Sequence, residues 1–90
     1  MPPIYCIENL PKNEELLIQY GYSTINRNNN KDFWIWFNTN TKFYWIERSF
    51  DESFCLLQNI EELGHVLLLA QLGLPYQDII ETIGEDRANT

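Results

Sequence analysis

Alternating and helically spaced apolar positions divide this chain of 90 residues into recognisable blocks. The clearest lies in the middle. Asp32-Phe33-Trp34-Ile35-Trp36-Phe37-Asn38 and Thr41-Lys42-Phe43-Tyr44-Trp45-Ile46-Glu47-Arg48 are aromatic and β-branched runs on either side of the polar pair Thr39-Asn40. Together they predict a β-hairpin. With a two-residue loop, Trp34, Trp36, Phe43 and Trp45 share one face, and Phe33, Ile35, Phe37, Tyr44 and Ile46 share the other. A ribbon that is apolar on both sides must be covered on both or present one to a partner.

The blocks before the hairpin are shorter. Ile4 to Ile7 is a β-compatible run behind Pro2 and Pro3 and reads as an edge strand, broken by Asn9-Leu10-Pro11. From Lys12 to Tyr20, Leu16, Leu17 and Tyr20 fall at helical spacing, with Glu14 and Glu15 at the start and Gly21 after the end. Tyr22 to Arg27 predicts a second strand, and Asn28-Asn29-Asn30 a turn.

After the hairpin, Ser49 to Ser53 is a polar link. Asn59 then supplies a helix cap with Glu62 three residues on, and the helix runs to Leu72 before Gly73 closes it. Pro75 suits the first turn of a last helix that reaches Ile83 and enters Gly84, and Glu85 to Thr90 is expected to fray. The sum is one α+β domain over residues 1–90. It comprises a small antiparallel sheet of three or four strands around the aromatic hairpin, with helices on one side, in the order β-α-β-β-β-α-α.

Within the long helix, Ile60, Leu63, Val66, Leu67 and Ala70 form one apolar face at about 100° per residue. Leu68 and Leu72 lie outside it, and Leu69 lies nearly opposite Ile60. A helix apolar nearly all round has to be covered nearly all round. Ile79, Ile80 and Ile83 of the last helix can cover one flank. The remainder implies a homodimer, a partner groove or a fully central helix.

Charge sharpens this picture. The net charge of −7 is carried entirely by the second half: residues 1–45 hold four acids and four bases, whereas residues 46–90 hold nine acids against Arg48 and Arg87. Such a surface repels phosphates and membrane headgroups and attracts basic partners, although acidity also serves solubility alone. The longest apolar run, Val66 to Ala70, is far too short to span a bilayer, and the N-terminus lacks the basic-then-apolar order of a secretion signal. Two distant cysteines make no disulfide framework, so the expected compartment is the cytoplasm. Ten Asn and ten Ile against one Val and two Ala is the bias of A/T-rich coding, common in phages, plasmids and some bacteria.

Catalytic chemistry is poorly represented. His65 is the only histidine and falls mid-helix beside leucines, and neither Cys6 nor Cys55 sits in an electropositive context that would activate a thiol. The spacing of His, Cys and acids matches no zinc or calcium site, and the four glycines are isolated, so no catalytic residue, metal ligand or cofactor is expected. A stacking platform for single-stranded nucleic acid needs a positive groove, and only Arg27, Lys31, Lys42 and Arg48 could supply one.

One segment, Leu69-Ala70-Gln71-Leu72-Gly73-Leu74-Pro75-Tyr76-Gln77-Asp78-Ile79-Ile80-Glu81-Thr82-Ile83-Gly84, resembles the first part of the helix-turn-helix in the sigma-factor DNA-reading region. In that family a basic recognition helix follows the glycine. Here Glu85-Asp86-Arg87-Ala88-Asn89-Thr90 follows, short and acidic.

These features predict a small acidic, non-enzymatic protein that binds another protein, one with a basic nucleic-acid-binding surface. By physical type it belongs with phage and mobile-element inhibitors, anti-CRISPR proteins among them, which place carboxylates where phosphates would sit. The expected acidic surface is Glu61, Glu62, Asp78, Glu81, Glu85 and Asp86, with Leu68, Leu69 and Leu72 as its apolar complement. Direct nucleic acid binding and membrane association are not expected. The alternatives are a DNA-binding regulator built on the partial helix-turn-helix, and an assembly subunit that dimerises through its leucines.

Overall fold

In the computed structural model, which describes residues 14–25, 32–51 and 53–89, the aromatic hairpin forms the middle of a four-stranded antiparallel sheet. The elements run α1 (Glu14–Gln19), β1 (Ser23–Ile25), β2 (Phe33–Asn38), β3 (Phe43–Arg48), β4 (Phe54–Leu57), α2 (Ile60–Gln71) and α3 (Tyr76–Ala88), with strand order β1-β2-β3-β4. The strand expected at residues 4–7 and the turn at 28–30 lie outside the described residues.

The hairpin loop is longer than a two-residue turn. Asn38 pairs with Phe43 across Thr39–Lys42, and Trp36 pairs with Trp45. Asn38 sets this loop: its Oδ1 accepts the N–H groups of Asn40 (2.9 Å) and Thr41 (3.1 Å), its carbonyl accepts that of Lys42 (2.8 Å), and Lys42 turns through φ 60°. Each residue's cross-strand partner thereby moves by two positions. Side chains alternate with a period of two, so the two aromatic faces keep their predicted membership.

Each face has its own core. Phe33, Ile35, Tyr44 and Ile46 meet Leu57, Leu63, Val66, Leu69, Ala70, Tyr76, Ile79 and Ile83 from β4, α2 and α3. Burying side chains such as Ile35, Ile46 and Ile79 fully contributes about 1.5–3 kcal/mol each. On the opposite face, Trp36, Phe43 and Trp45 pack with Tyr22 and with Leu17 of α1. Helices therefore flank both sides of the sheet rather than one.

Strand β4 was not marked by the sequence pattern. Phe54-Cys55-Leu56-Leu57 is a short apolar run without alternation, which periodicity alone does not assign, and pairing with β3 makes it a strand. The buried face of α2 also differs. It comprises Leu63, Val66, Leu69 and Ala70, rotated by about 50° from the expected one, so Leu69 is buried and Ile60 is 49% exposed. The rotation follows from α3, which packs on the Leu69 side.

Both predicted glycine stops operate. Gly21 and Gly73 adopt φ 94° and 89°, with the paired end-of-helix bonds Gly21 N–H to Ile18 O, Tyr22 N–H to Leu17 O, Gly73 N–H to Ala70 O and Leu74 N–H to Leu69 O. Gly84 is no such stop. Helix α3 runs through it to Ala88, so Glu85 to Ala88 of the segment expected to fray are helical. Contacts from Asp86 to His65 and from Arg87 to Glu62 hold it.

Candidate functional site

Helices α2 and α3 form an antiparallel pair, tied at the end where α2 begins and α3 finishes. Asn59 caps α2, its Oδ1 accepting the Glu62 N–H at 2.8 Å, and Glu62 turns back to accept the Gln58 N–H at 2.8 Å. The Glu62 carboxylate also receives Arg87 in a fork, Nε to Oε2 at 2.9 Å and Nη2 to Oε1 at 2.6 Å. Arg87 Nη2 further donates to the Leu56 carbonyl at 2.7 Å, so a single guanidinium joins α3, α2 and β4. One turn along, His65 Nδ1 and Asp86 Oδ2 are 2.8 Å apart.

The fold engages three of the predicted partner-binding residues. Glu62 is engaged inside the fold: its side chain is 11% exposed, and the Arg87 guanidinium hydrogen-bonded to it holds its carboxyl below the usual range. Arg87 is correspondingly raised by the same contact. Glu62 is a structural anchor rather than a free surface acid. Leu69 likewise belongs to the core. Asp86 is exposed but faces His65 across the helix pair.

The remaining six are solvent-exposed. Leu68 and Leu72 are 53% and 66% exposed, and with Ile60 they form an outward apolar track on α2 beside exposed Glu61. On α3, Asp78, Glu81 and Glu85 are exposed and fall at i, i+3 and i+7, opposite the buried Tyr76, Ile79 and Ile83. The His65–Asp86 and Glu62–Arg87 contacts fix how the two helices are turned toward each other. The apolar track of α2 and the acidic track of α3 both face solvent. From residue 49 onward Arg87 is the sole Lys or Arg, and it is committed to Glu62.

A shallow depression of about 470 Å³ lies between the hairpin loop and the start of α2, lined by Thr39, Lys42, Tyr44, Gln58, Asn59 and Ile60. The amides of Gln58 and Glu62 at its edge are already satisfied by the Glu62 and Asn59 side chains. The aromatic face is packed rather than open: Trp36 and Trp45 stack at 6.0 Å and 23°, Tyr22 and Phe43 close around Trp45 at 5.4 and 5.3 Å, and all four are buried. Bases cannot stack on rings so covered. Arg48 lies 4.7 Å over the Tyr76 ring, joining the end of β3 to the start of α3. Cys55 is a half-buried free thiol. Among the described residues no three His, Cys, Asp or Glu side chains converge as a metal site, and no helix is long and apolar enough to cross a membrane.

The helix-turn-helix likeness ends at Gly84. That motif would place a turn there, whereas α3 continues unbroken. Comparisons with protein-family models, with curated proteins and with solved structures gave no match to this chain.

Proposed function

We propose that this chain is a non-enzymatic protein-binding module that offers the solvent face of the α2–α3 pair to a basic partner. The observation that carries the reading is the solvent exposure of both kinds of group on the two helices: Ile60, Leu68 and Leu72 with Glu61 on α2, and Asp78, Glu81 and Glu85 on α3. Apolar contact supplies affinity there, while the carboxylates supply steering and partner choice. A partner surface that normally holds phosphates has the matching charge. The module thus acts as an inhibitor of a nucleic-acid-handling protein, occupying that surface in the cytoplasm in the manner of the phage and mobile-element inhibitors it resembles in type. Pairing of two copies is disfavoured by charge, because each carries a net −7.

The test is capture from a nuclease-treated host-cell lysate, comparing the wild type with an Asp78→Lys, Glu81→Lys, Glu85→Lys variant that leaves Glu62 and Asp86 in place. A basic protein retained by the wild type, released by added oligonucleotide and lost by the variant is the expected result. Retention indifferent to the three reversals refutes the reading.

A further inference from the structure

The depression between the hairpin loop and the start of α2 has a chemically one-sided lining. Tyr44 contributes to it although its ring belongs to the core and the residue is only 2% exposed. Among the described residues the Tyr44 hydroxyl has no hydrogen-bond partner, yet it is not sealed from solvent. A polar group carried into a core without a protein partner calls for an explanation, and opening onto the depression supplies one. Lys42 shares the lining. Of the described Lys and Arg side chains, Arg48 is engaged by Asp51 and Tyr76 and Arg87 by Glu62, whereas Lys42 makes no such contact. Lys42 also holds φ 60°, which Gly or Asn adopts at less cost, so the loop carries its lysine against backbone preference.

We infer that this depression binds a small molecule through a single carboxylate, held by the Lys42 ammonium and the Tyr44 hydroxyl, with its apolar part against Ile60. The inference goes beyond the protein-binding role proposed above and shares only Ile60 with it. Donors dominate the lining. Lys42 offers three N–H groups, and Tyr44 and Thr39 a hydroxyl each. Asn59 turns its Oδ1 to the Glu62 N–H, which leaves its NH2 as a further donor. No Asp or Glu lines the depression. A ligand whose polar end only accepts is the match. A lone ammonium suits a single negative charge, whereas phosphate recognition favours several cations or a set of free amides. The net charge of −7 opposes a ligand of higher charge for the same reason. Ile60, 49% exposed, gives the rest of the ligand an apolar surface, and about 470 Å³ accommodates a small molecule.

The experiment is titration of the full chain with hexanoate, followed by the backbone amide signals in NMR. Hexanamide, of the same length but neutral, is the control, and an acetyl-capped tripeptide with a free C-terminal carboxylate tests a chain end as the source. Two variants accompany them. Tyr44→Phe keeps the core volume and removes the hydroxyl; Lys42→Asn removes the charge and suits the left-handed backbone. Hexanoate should shift the Thr39, Lys42 and Ile60 amides saturably, with hexanamide about tenfold weaker or worse. Each variant should weaken hexanoate by about tenfold, and Lys42→Asn should leave the thermal midpoint unchanged or raised. Should Tyr44→Phe lower the thermal midpoint, Lys42→Asn decides alone. Equal binding of hexanoate and hexanamide, no saturation by about 50 mM, or indifference to Lys42→Asn overturns the inference. Clear preference for the tripeptide makes a peptide terminus the occupant and overturns the small molecule. None of these failures touches the role of Asp78, Glu81 and Glu85, because no partner protein is present.

Discussion

Asn38 is 3% exposed and uses both ends of its amide. Its Nδ2 donates to the Tyr20 carbonyl at 3.1 Å, at the end of α1, while its Oδ1 holds two amides of the hairpin loop. It thus connects the end of α1 to the end of β2 across eighteen positions of sequence. Gly21 is part of the same arrangement, since a Cβ there would lie 3.1 Å from Asn38 Nδ2. Asn38→Leu removes these bonds and leaves polar groups unmatched, at a cost of about 2 kcal/mol. Urea denaturation measures this, and a loss under about 0.5 kcal/mol would mean that the loop is held by other contacts. The glycine was readable from sequence as a helix stop. The role of Asn38 was not, because its Tyr20 contact is long-range and an Asn ending a strand looks like an ordinary turn residue.

Among the elements, the hairpin and α2 were legible because long, strongly patterned segments announce themselves. The boundaries that misled were those decided by tertiary contact. Gly84 followed an apolar helical run and so looked like a terminus, yet Arg87 gains three hydrogen bonds only if the helix continues. The sign of one substitution distinguishes the two cases. Gly84 is in helical conformation with open space around it, so Gly84→Ala should stabilise the protein by about 0.5–1 kcal/mol in thermal or urea unfolding. A left-handed cap at that position would instead make alanine destabilising. The candidate face was half readable. Leu68, Leu72 and the acids of α3 were identifiable by spacing, but the withdrawal of Glu62 and Leu69 depended on where α3 packs.

Across the protein, Glu62 and Tyr76 each link stability to pH, in opposite directions. The folded carboxyl of Glu62 is held below its ordinary value of 4.5, so its contribution is present above that pH and is lost as pH falls through the lower folded value. Burial raises the Tyr76 hydroxyl above 10.0, so its contribution is present below pH 10 and is lost as pH rises beyond it. The excess acids complicate the acid limb, because protonating them also relieves self-repulsion. The difference between wild type and Glu62→Gln isolates the contact: it should be largest near neutrality and shrink below about pH 4.5. A difference that stays constant down to pH 3 would show that Arg87 does not depend on the charge of Glu62.

The Leu56 carbonyl that Arg87 occupies has a further consequence. In the β3–β4 ladder Arg48 N–H bonds to Ser53 O, and alternation along the ladder turns the Leu56 amide and carbonyl away from β3, toward the open side of the sheet. Among the described residues β4 is the edge strand there, and its outward-facing groups are a template on which another chain could grow. The guanidinium covers that template with charge. The last turn of α3 thereby occupies an acceptor that strand addition would use, and loosening it would leave the Leu56 carbonyl open to another chain.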